Sequence, residues 1–313
     1  MTVTVVTGAA GFIGSRLVAA LNRRGIEDIV AVDHARREER AANLAGCRIL
    51  DYLSPEAFLE RFDGKARVVF HQGACTNTMV HDRDLMMRSN LEYSLKLLDK
   101  CQAARTPLIY ASSAAVYGAG PDFREEPACE HPLNVYGESK LLFDQEVRRR
   151  IDADPGLAAQ AAGLRYFNVY GPNEGHKAVM ASMAFHGYHQ VRKDGRIRLF
   201  TGSGGYGPGE QRRDFVFVED TIAVNLWLLD NPGVSGVFNC GTGRAQSFNE
   251  LATAVIKAVG QGLIEYIPFP AALEGKYQSF TQADLTRLRA AGCPVKFRPV
   301  EEGVAVYVKE LTR

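Results

Sequence analysis

The chain has 313 residues, 46% of them hydrophobic and 23% charged, which is enough for one large α/β unit or two unequal, interlocked lobes. Its 37 basic and 36 acidic side chains leave a formal charge of +1, so no global field recruits nucleic acid or an anionic membrane, and any anion site must be local. No apolar run approaches the roughly 18 residues of a membrane span, the N-terminus enters a strand-like VTVVTG without a basic n-region, and Cys47, Cys75, Cys101, Cys129, Cys240 and Cys293 form no C-x-x-C; with no H-E-x-x-H either, the expectation is a cytoplasmic protein with free thiols and no metal.

In chain order the first half alternates short aliphatic or β-branched runs with longer helical patterns: VTVVTG, a helix over 12–24, DIVAVD, CRIL, a helix over 54–62, ARVVFHQGA, a helix over 84–104, and PLIYASS. Alternation of this kind predicts βαβ units, hence a Rossmann-type doubly wound parallel sheet with helices on both faces. A helix through Tyr136 and Lys140 continues to about Ile151, and AAGLRYFNVYGP is a further strand running into a loop. The Gly-rich 201–211 predicts a loop, while DFVFVEDTIAVNLWLL and SGVFNCGTG predict returning strand and helix elements. The expected division is a dinucleotide-binding domain over 1–170 and a smaller substrate-binding lobe over 171–313, with elements interleaved and a cleft above the carboxyl ends of the strands.

TGAAGFIGS follows the first strand and opens a helix, placing Gly8, Gly11 and Gly14 in a G-x-x-G-x-x-G spacing. Gly8 can make the tight turn, Gly11 admits a pyrophosphate close to the backbone, and Gly14 permits close helix packing, with the helix N-terminus facing the anion. Asp33, at the end of the second strand, is the residue type that bonds a ribose 2′-hydroxyl and favours NAD. Arg36, Arg37 and Arg40 follow within HARREER; they are either a solvated charge run or the partners of a 2′-phosphate, and the second reading makes NADP the expected cofactor, with NAD the alternative. Asp51 after the third strand is the expected partner of the adenine amine, and Gln72, Gly73 and Ala74 after the fourth are expected beneath the phosphates and ribose.

YASSAAVYG and, about two dozen residues later, NVYGESK set Ser113 before a Tyr136/Lys140 pair at i and i+4. Taken alone, that pair is either one turn of an ordinary helix or a phenol beside an ammonium that favours its ionised form. Together with the glycine loop it resembles, over nearly the whole chain, the extended short-chain dehydrogenase/reductase (NAD-dependent epimerase/dehydratase) family. The resemblance implies Tyr136 as the proton-transfer group, Lys140 and a positive nicotinamide lowering its pKa, and Ser113 bonding the reacting oxygen, with Ser112 a structural neighbour. It also implies Phe12, Ile13, His34, Asn90 and Val169 among the cofactor contacts.

PLNVYGESK, RYFNVYGPNEGHKAVMAS, FNCGTGRAQSF, IEYIPFP and YQSFTQADLTRLRAAG are similar to the ADP-heptose 6-epimerase branch of that family. This narrower resemblance implies a nucleotide-sugar substrate, an ADP-heptose destined for the lipopolysaccharide inner core, oxidised to a C6 ketone and reduced on the other face. Lys177 of EGHK matches the position of a second acid/base; by itself it is equally readable as a surface or phosphate-binding lysine. Asn168, His186, Arg213 and Tyr277, with Phe200, Thr201, Gly202 and Ser203, match positions around the nucleotide sugar. Val179 stands where some members carry a serine near the substrate, and 204–211 is longer than the equivalent loop in others. Ala114 and Ala115 stand where a 4,6-dehydratase needs an Asp-Glu pair, which argues against water elimination; the core motifs alone also fit a UDP-sugar C4-epimerase or a non-catalytic NADP-binding protein, and EGHK and FTQADL are what favour the heptose. The resemblance also implies a homo-oligomer, pentamers being among the family's assemblies.

Overall fold

A computed structural model describes residues 2–34, 42–76, 82–154, 157–271 and 277–312. Its strands are β1 (Thr4–Thr7), β2 (Ile29–Val32), β3 (Asp51–Leu53), β4 (Val68–His71), β5 (Leu108–Ser113), β6 (Ala161–Tyr166), β7 (Asn168–Tyr170), β8 (Arg196–Phe200), β9 (Arg212–Arg213), β10 (Phe215–Phe217), β11 (Gly236–Cys240), β12 (Gln246–Ser247) and β13 (Leu263–Ile267). Its helices are α1 (Phe12–Arg23), α2 (Pro55–Arg61), α3 (Arg83–Met86), α4 (Tyr93–Ala104), α5 (Val135–Ala153), α6 (Met183–Asp194), α7 (Val218–Asp230), α8 (Phe248–Val259), α9 (Thr286–Ala290) and α10 (Val300–Leu311). A π-helical turn, Met87–Glu92, joins α3 to α4.

Seven strands form one sheet in the order β11-β6-β5-β4-β1-β2-β3, and every neighbouring pair is parallel. The order reverses between β1 and β4, which opens the crevice where such sheets take ligands. Because both faces are covered by helices, β1, β4 and β6 are buried along their whole length and do not alternate between buried and exposed positions. The sheet is not confined to the first 170 residues: β11 extends it beyond β6, and α7 packs on α1. The remaining strands form three two-stranded pairings, β10 with β7, β12 with β9, and β13 with β8.

Two expectations need correction. CRIL is not a strand; β3 begins at Asp51, where the register pairs Val30 with Asp51, and Leu50 is 61% exposed. An apolar residue directed at solvent produced the false strand signal. Asp51 therefore opens β3 instead of following it, exposed and two residues back from the carboxyl end, where Leu53 accepts the Asp33 amide.

Candidate functional site

The turn after β1 is built for an anion. Gly8 has φ +66°, and a Cβ added there would lie 2.7 Å from the Gly73 nitrogen, so the loops after β1 and β4 touch backbone to backbone. A Cβ on Gly14 would sit 2.0 Å from the Gly8 carbonyl oxygen. Helix α1 starts at Gly11 with no side-chain cap and no acid in its first turn, whereas α2, α5, α6 and α8 are capped by Ser54, Asn134, Ser182 and Ser247. Uncapped first-turn N–H groups and the positive helix end fit a dinucleotide pyrophosphate. Phe12 is buried and Ile13 half-buried at this end.

Asp33 is buried, its Oδ2 accepting the Ala10 N–H at 3.0 Å and its Oδ1 that of His34 at 2.8 Å, so the carboxylate also braces the glycine loop. His34 is exposed beside it; Arg36, Arg37 and Arg40 lie outside the described residues. Gly73 donates its N–H to Thr7 Oγ1 at 3.1 Å, and Ala74 is half-buried behind it. The Gln72 side chain is bonded to Tyr166, at the end of β6, and to Asn225 of α7. Asn90, in the π-helical turn, is 1% exposed: Oδ1 accepts from Cys75 N, and Nδ2 donates to Cys75 O and Ser139 Oγ. With its amide so engaged, Asn90 holds the loop after β4 against the α5 helix. Val169 is half-buried in β7.

Ser113 ends β5 and caps the following 3-10 turn, Ala114–Tyr117, accepting the Ala115 N–H at 3.1 Å. Helix α5 begins beside it, its first turn closed by the Asn134 cap on Gly137 N at 2.8 Å. A Cβ at Gly137 would meet the Ala115 carbonyl oxygen at 2.7 Å, so this glycine permits the close approach that brings the Tyr136 phenol into hydrogen bonding with Ser113. One turn on, Lys140 is buried and donates to the Ala111 carbonyl at 2.9 Å; burial lowers its pKa to about 8, partly opposed by Asp144.

The phenol differs from expectation. In the protein alone the Tyr136 pKa is raised, because burial outweighs the Ser113 hydrogen bond and the Cys75 thiol adds a further upward push. Lys140 is directed at the main chain of β5 and does not draw the phenol down by itself. Two structures behind this pair left no signal in the sequence pattern. Asp144 accepts from Tyr110, Ser112 and the fully buried Arg165 at 3.0, 2.8 and 2.8 Å, and Arg165 also reaches Tyr117 and Glu130. His71, buried at the end of β4 between Thr7 and Ser94 at 2.6 and 2.8 Å, is held neutral, its pKa lowered by burial and by Lys140 to about 3.

Lys177 lies in the 3-10 turn Gly175–Met180, its Nζ 5.4 Å from the centroid of the Phe12 ring; burial lowers its pKa, with Glu174 opposing. No hydrogen bond joins it to Tyr136 or Ser113 among the described residues. Arg213 is 5% exposed, stacked 4.7 Å over Tyr277 and hydrogen-bonded to it, and forms no carboxylate ion pair among the described residues. A buried guanidinium so placed can take a diphosphate bidentately. Phe269 meets Phe200 and Tyr277 edge to face, with ring centroids 5.5 and 5.4 Å apart. Beside them is a cavity of about 510 Å³ lined by Gly120, Pro121, Tyr206, Tyr277, Ser279 and Phe280. Thr201 and Ser203 are tied to Gln211, and a Cβ on Gly202 would strike the Tyr206 carbonyl at 1.7 Å. Asn168 is exposed and accepts from Thr281, and His186 is half-buried against Phe185. Val179 is 84% exposed.

The NAD dependent epimerase/dehydratase family matches residues 4–241. A protein of Alkalilimnicola ehrlichii named ADP-L-glycero-D-manno-heptose-6-epimerase is 56% identical over 97% of this chain and 96% of its own. The crystal structure of the Helicobacter pylori ADP-L-glycero-D-manno-heptose-6-epimerase superposes with a TM-score of 0.84 at 28% identity, covering 99% of this chain and 96% of that one. A Thermus thermophilus UDP-glucose 4-epimerase in complex with NAD superposes at 0.77 with 27% identity, over 99% and 98% of the two chains.

Proposed function

The chain belongs to the NAD dependent epimerase/dehydratase family, and from that membership we infer that it is an enzyme that inverts C6 of ADP-D-glycero-D-manno-heptose to give ADP-L-glycero-D-manno-heptose through transient oxidation. The observation that carries the chemistry is the hydrogen-bonded Ser113–Tyr136 pair at the carboxyl end of β5, with buried Lys140 one turn further on. Identity of 56% with the Alkalilimnicola relative supports the choice of sugar.

When bound, NADP supplies the acceptor and donor of the C6 hydride and, while oxidised, a positive charge near the phenol. The uncapped N-terminus of α1, with Gly8, Gly11 and Gly14, would hold the pyrophosphate, and Gly73 and Ala74 would form the floor. Tyr136 takes the proton of the C6 hydroxyl in one pose, while Ser113 holds the reacting oxygen; in the other pose the ketone oxygen receives its proton from the second group, and the two groups recover their protonation states by exchange with solvent. Lys140 orients the strand and contributes charge when protonated. Lys177, its ammonium destabilised by burial, serves the pose in which the other face of C6 is presented. Arg213, above Tyr277, grips the diphosphate. The alanines at 114 and 115 leave no carboxylate beside Ser113 for dehydration.

NADP is preferred over NAD because Arg36 and Arg37 supply positive charge close in sequence to Asp33, where a 2′-phosphate would lie. Six cysteines free of disulfides accord with a cytoplasmic enzyme, and the family resemblance extends to a homo-oligomer. Among the described residues no helix is long and apolar enough to cross a membrane. The reading is tested by giving the purified protein ADP-D-glycero-D-manno-heptose and, separately, UDP-glucose, with NMR of the products. Conversion of the heptose at C6 and none of UDP-glucose is expected; C4 epimerisation of UDP-glucose without heptose turnover would overturn it.

A further inference from the structure

We propose that Asn43 is a positioning residue that ties the loop carrying Lys177 to the turn after β1, and so holds the second proton-transfer group in place. This rests on the reading of Lys177 given above. Asn43 lies half-buried in the 3-10 turn Ala42–Leu44, and its Nδ2 is 3.1 Å from the Ala10 carbonyl, 3.2 Å from the Asn173 carbonyl and 3.1 Å from His176 Nδ1. Two amide hydrogens are thus shared among three acceptors, one in the turn after β1 and two in the segment leading to Lys177. None of these bonds is made to its own turn, which is where an asparagine serving only local structure would place them.

The connection is returned from the other side. Asn173, at φ +73°, donates from Nδ2 to Ser15 Oγ at 3.0 Å, and Ser15 Oγ in turn donates to the Phe12 carbonyl at 3.1 Å. Asparagine is among the few non-glycine residues that take this left-handed conformation readily. Lys177 then lies over the ring of that same Phe12. At its far end the loop is closed by buried Glu174, which accepts from Gly171 N at 3.1 Å and from Ser182 N and Oγ at 2.5 and 2.7 Å. Between the anchors, Ala178 is held at φ 48°, ψ −123°, a conformation costly for a residue with a Cβ and kept only where surrounding contacts over-determine it. The lysine therefore stands on a loop fixed from both ends, and the contacts facing the cofactor run through Asn43 and Asn173.

The test is single-turnover cofactor absorbance with each ADP-heptose epimer, on Lys177→Met, Tyr136→Phe, Asn43→Ala and Asn173→Gly, the last keeping the left-handed backbone while removing the amide. Displacing a catalytic group by about 1 Å can cost on the order of 100-fold. We expect both asparagine variants to slow hydride transfer by roughly tenfold or more with the epimer that Lys177→Met impairs, and to leave the epimer that depends on Tyr136 within about twofold. Equal slowing with both epimers, or none with either, in a background where Lys177→Met is epimer-selective, overturns the role of Asn43. If Lys177→Met itself slows both epimers alike, the two-base reading falls, and the proposal with it.

Discussion

Tyr136 stands in the first turn of a 19-residue helix, capped by Asn134 and laid against the end of a central strand, whereas Lys177 stands in a short 3-10 turn that contains a strained Ala178 and is preceded by a left-handed Asn173. The first position follows from regular elements whose geometry is set by backbone periodicity and by a glycine that allows contact. The second follows from a few side chains, Glu174, Asn43 and Asn173, each making bonds across long stretches of chain or across a closed loop. Regular structure distributes the work of positioning over many hydrogen bonds; an irregular loop concentrates it in a few, and should be correspondingly easier to disturb by substitutions away from the substrate.

The largest effect should come from the chemistry itself. Tyr136→Phe is expected to lower turnover by about 100-fold or more while affinity for the nicotinamide cofactor, read by fluorescence titration, stays within about twofold. Unchanged turnover would remove the phenol from the reaction.

Next is a pH effect on the Tyr136 side of the comparison. The Lys140 pKa falls from 10.5 in the unfolded chain to about 8 in the fold, so between these values the unfolded state binds more protons and stability rises with pH. Below about pH 8 both states carry the proton and this dependence ends. Relative to Lys140→Met, the cofactor-free protein should therefore gain on the order of 3 kcal/mol between pH 8 and 10.5, measured by denaturant unfolding; parallel curves for the two proteins would contradict the buried, partly deprotonated lysine.

On the Lys177 side, Glu174→Ala leaves the Gly171 and Ser182 N–H groups without their acceptor and should cost about 2–3 kcal/mol of stability. Turnover should fall even at temperatures where the variant is folded, because the lysine loop is released. Asn134→Ala removes a single cap and should cost only about 1 kcal/mol, with turnover little changed. Were the cap removal to damage turnover more than loss of Glu174, the contrast between the two supports would be reversed.

Much of the Tyr136 side was legible in the sequence. The glycine spacing after a strand, the serine at a strand end and the i, i+4 pair all depend on backbone repeats that chain order preserves, and the parallel sheet followed from the βαβ alternation. β3 was misplaced because Leu50 is apolar yet exposed. The buried Asp144–Arg165 pair, the neutral His71 and the Asn43 contacts left no local pattern, since their partners are 21, 64 and 130 residues away for the Arg165–Asp144, His71–Thr7 and Asn43–Asn173 bonds. In the protein alone Lys140 does not lower the Tyr136 pKa, because an i, i+4 spacing places two side chains on one face without fixing where the longer one ends, and this one ends on the Ala111 carbonyl.

Inversion of C6 by oxidation and return of the same hydride is tested most directly in deuterated water. Each ADP-heptose epimer would be incubated in D2O with the purified protein and followed by NMR at C6. The account predicts that both starting epimers converge on one mixture while C6 retains its original protium. Inversion accompanied by deuterium at C6, or no inversion of either epimer, would contradict it.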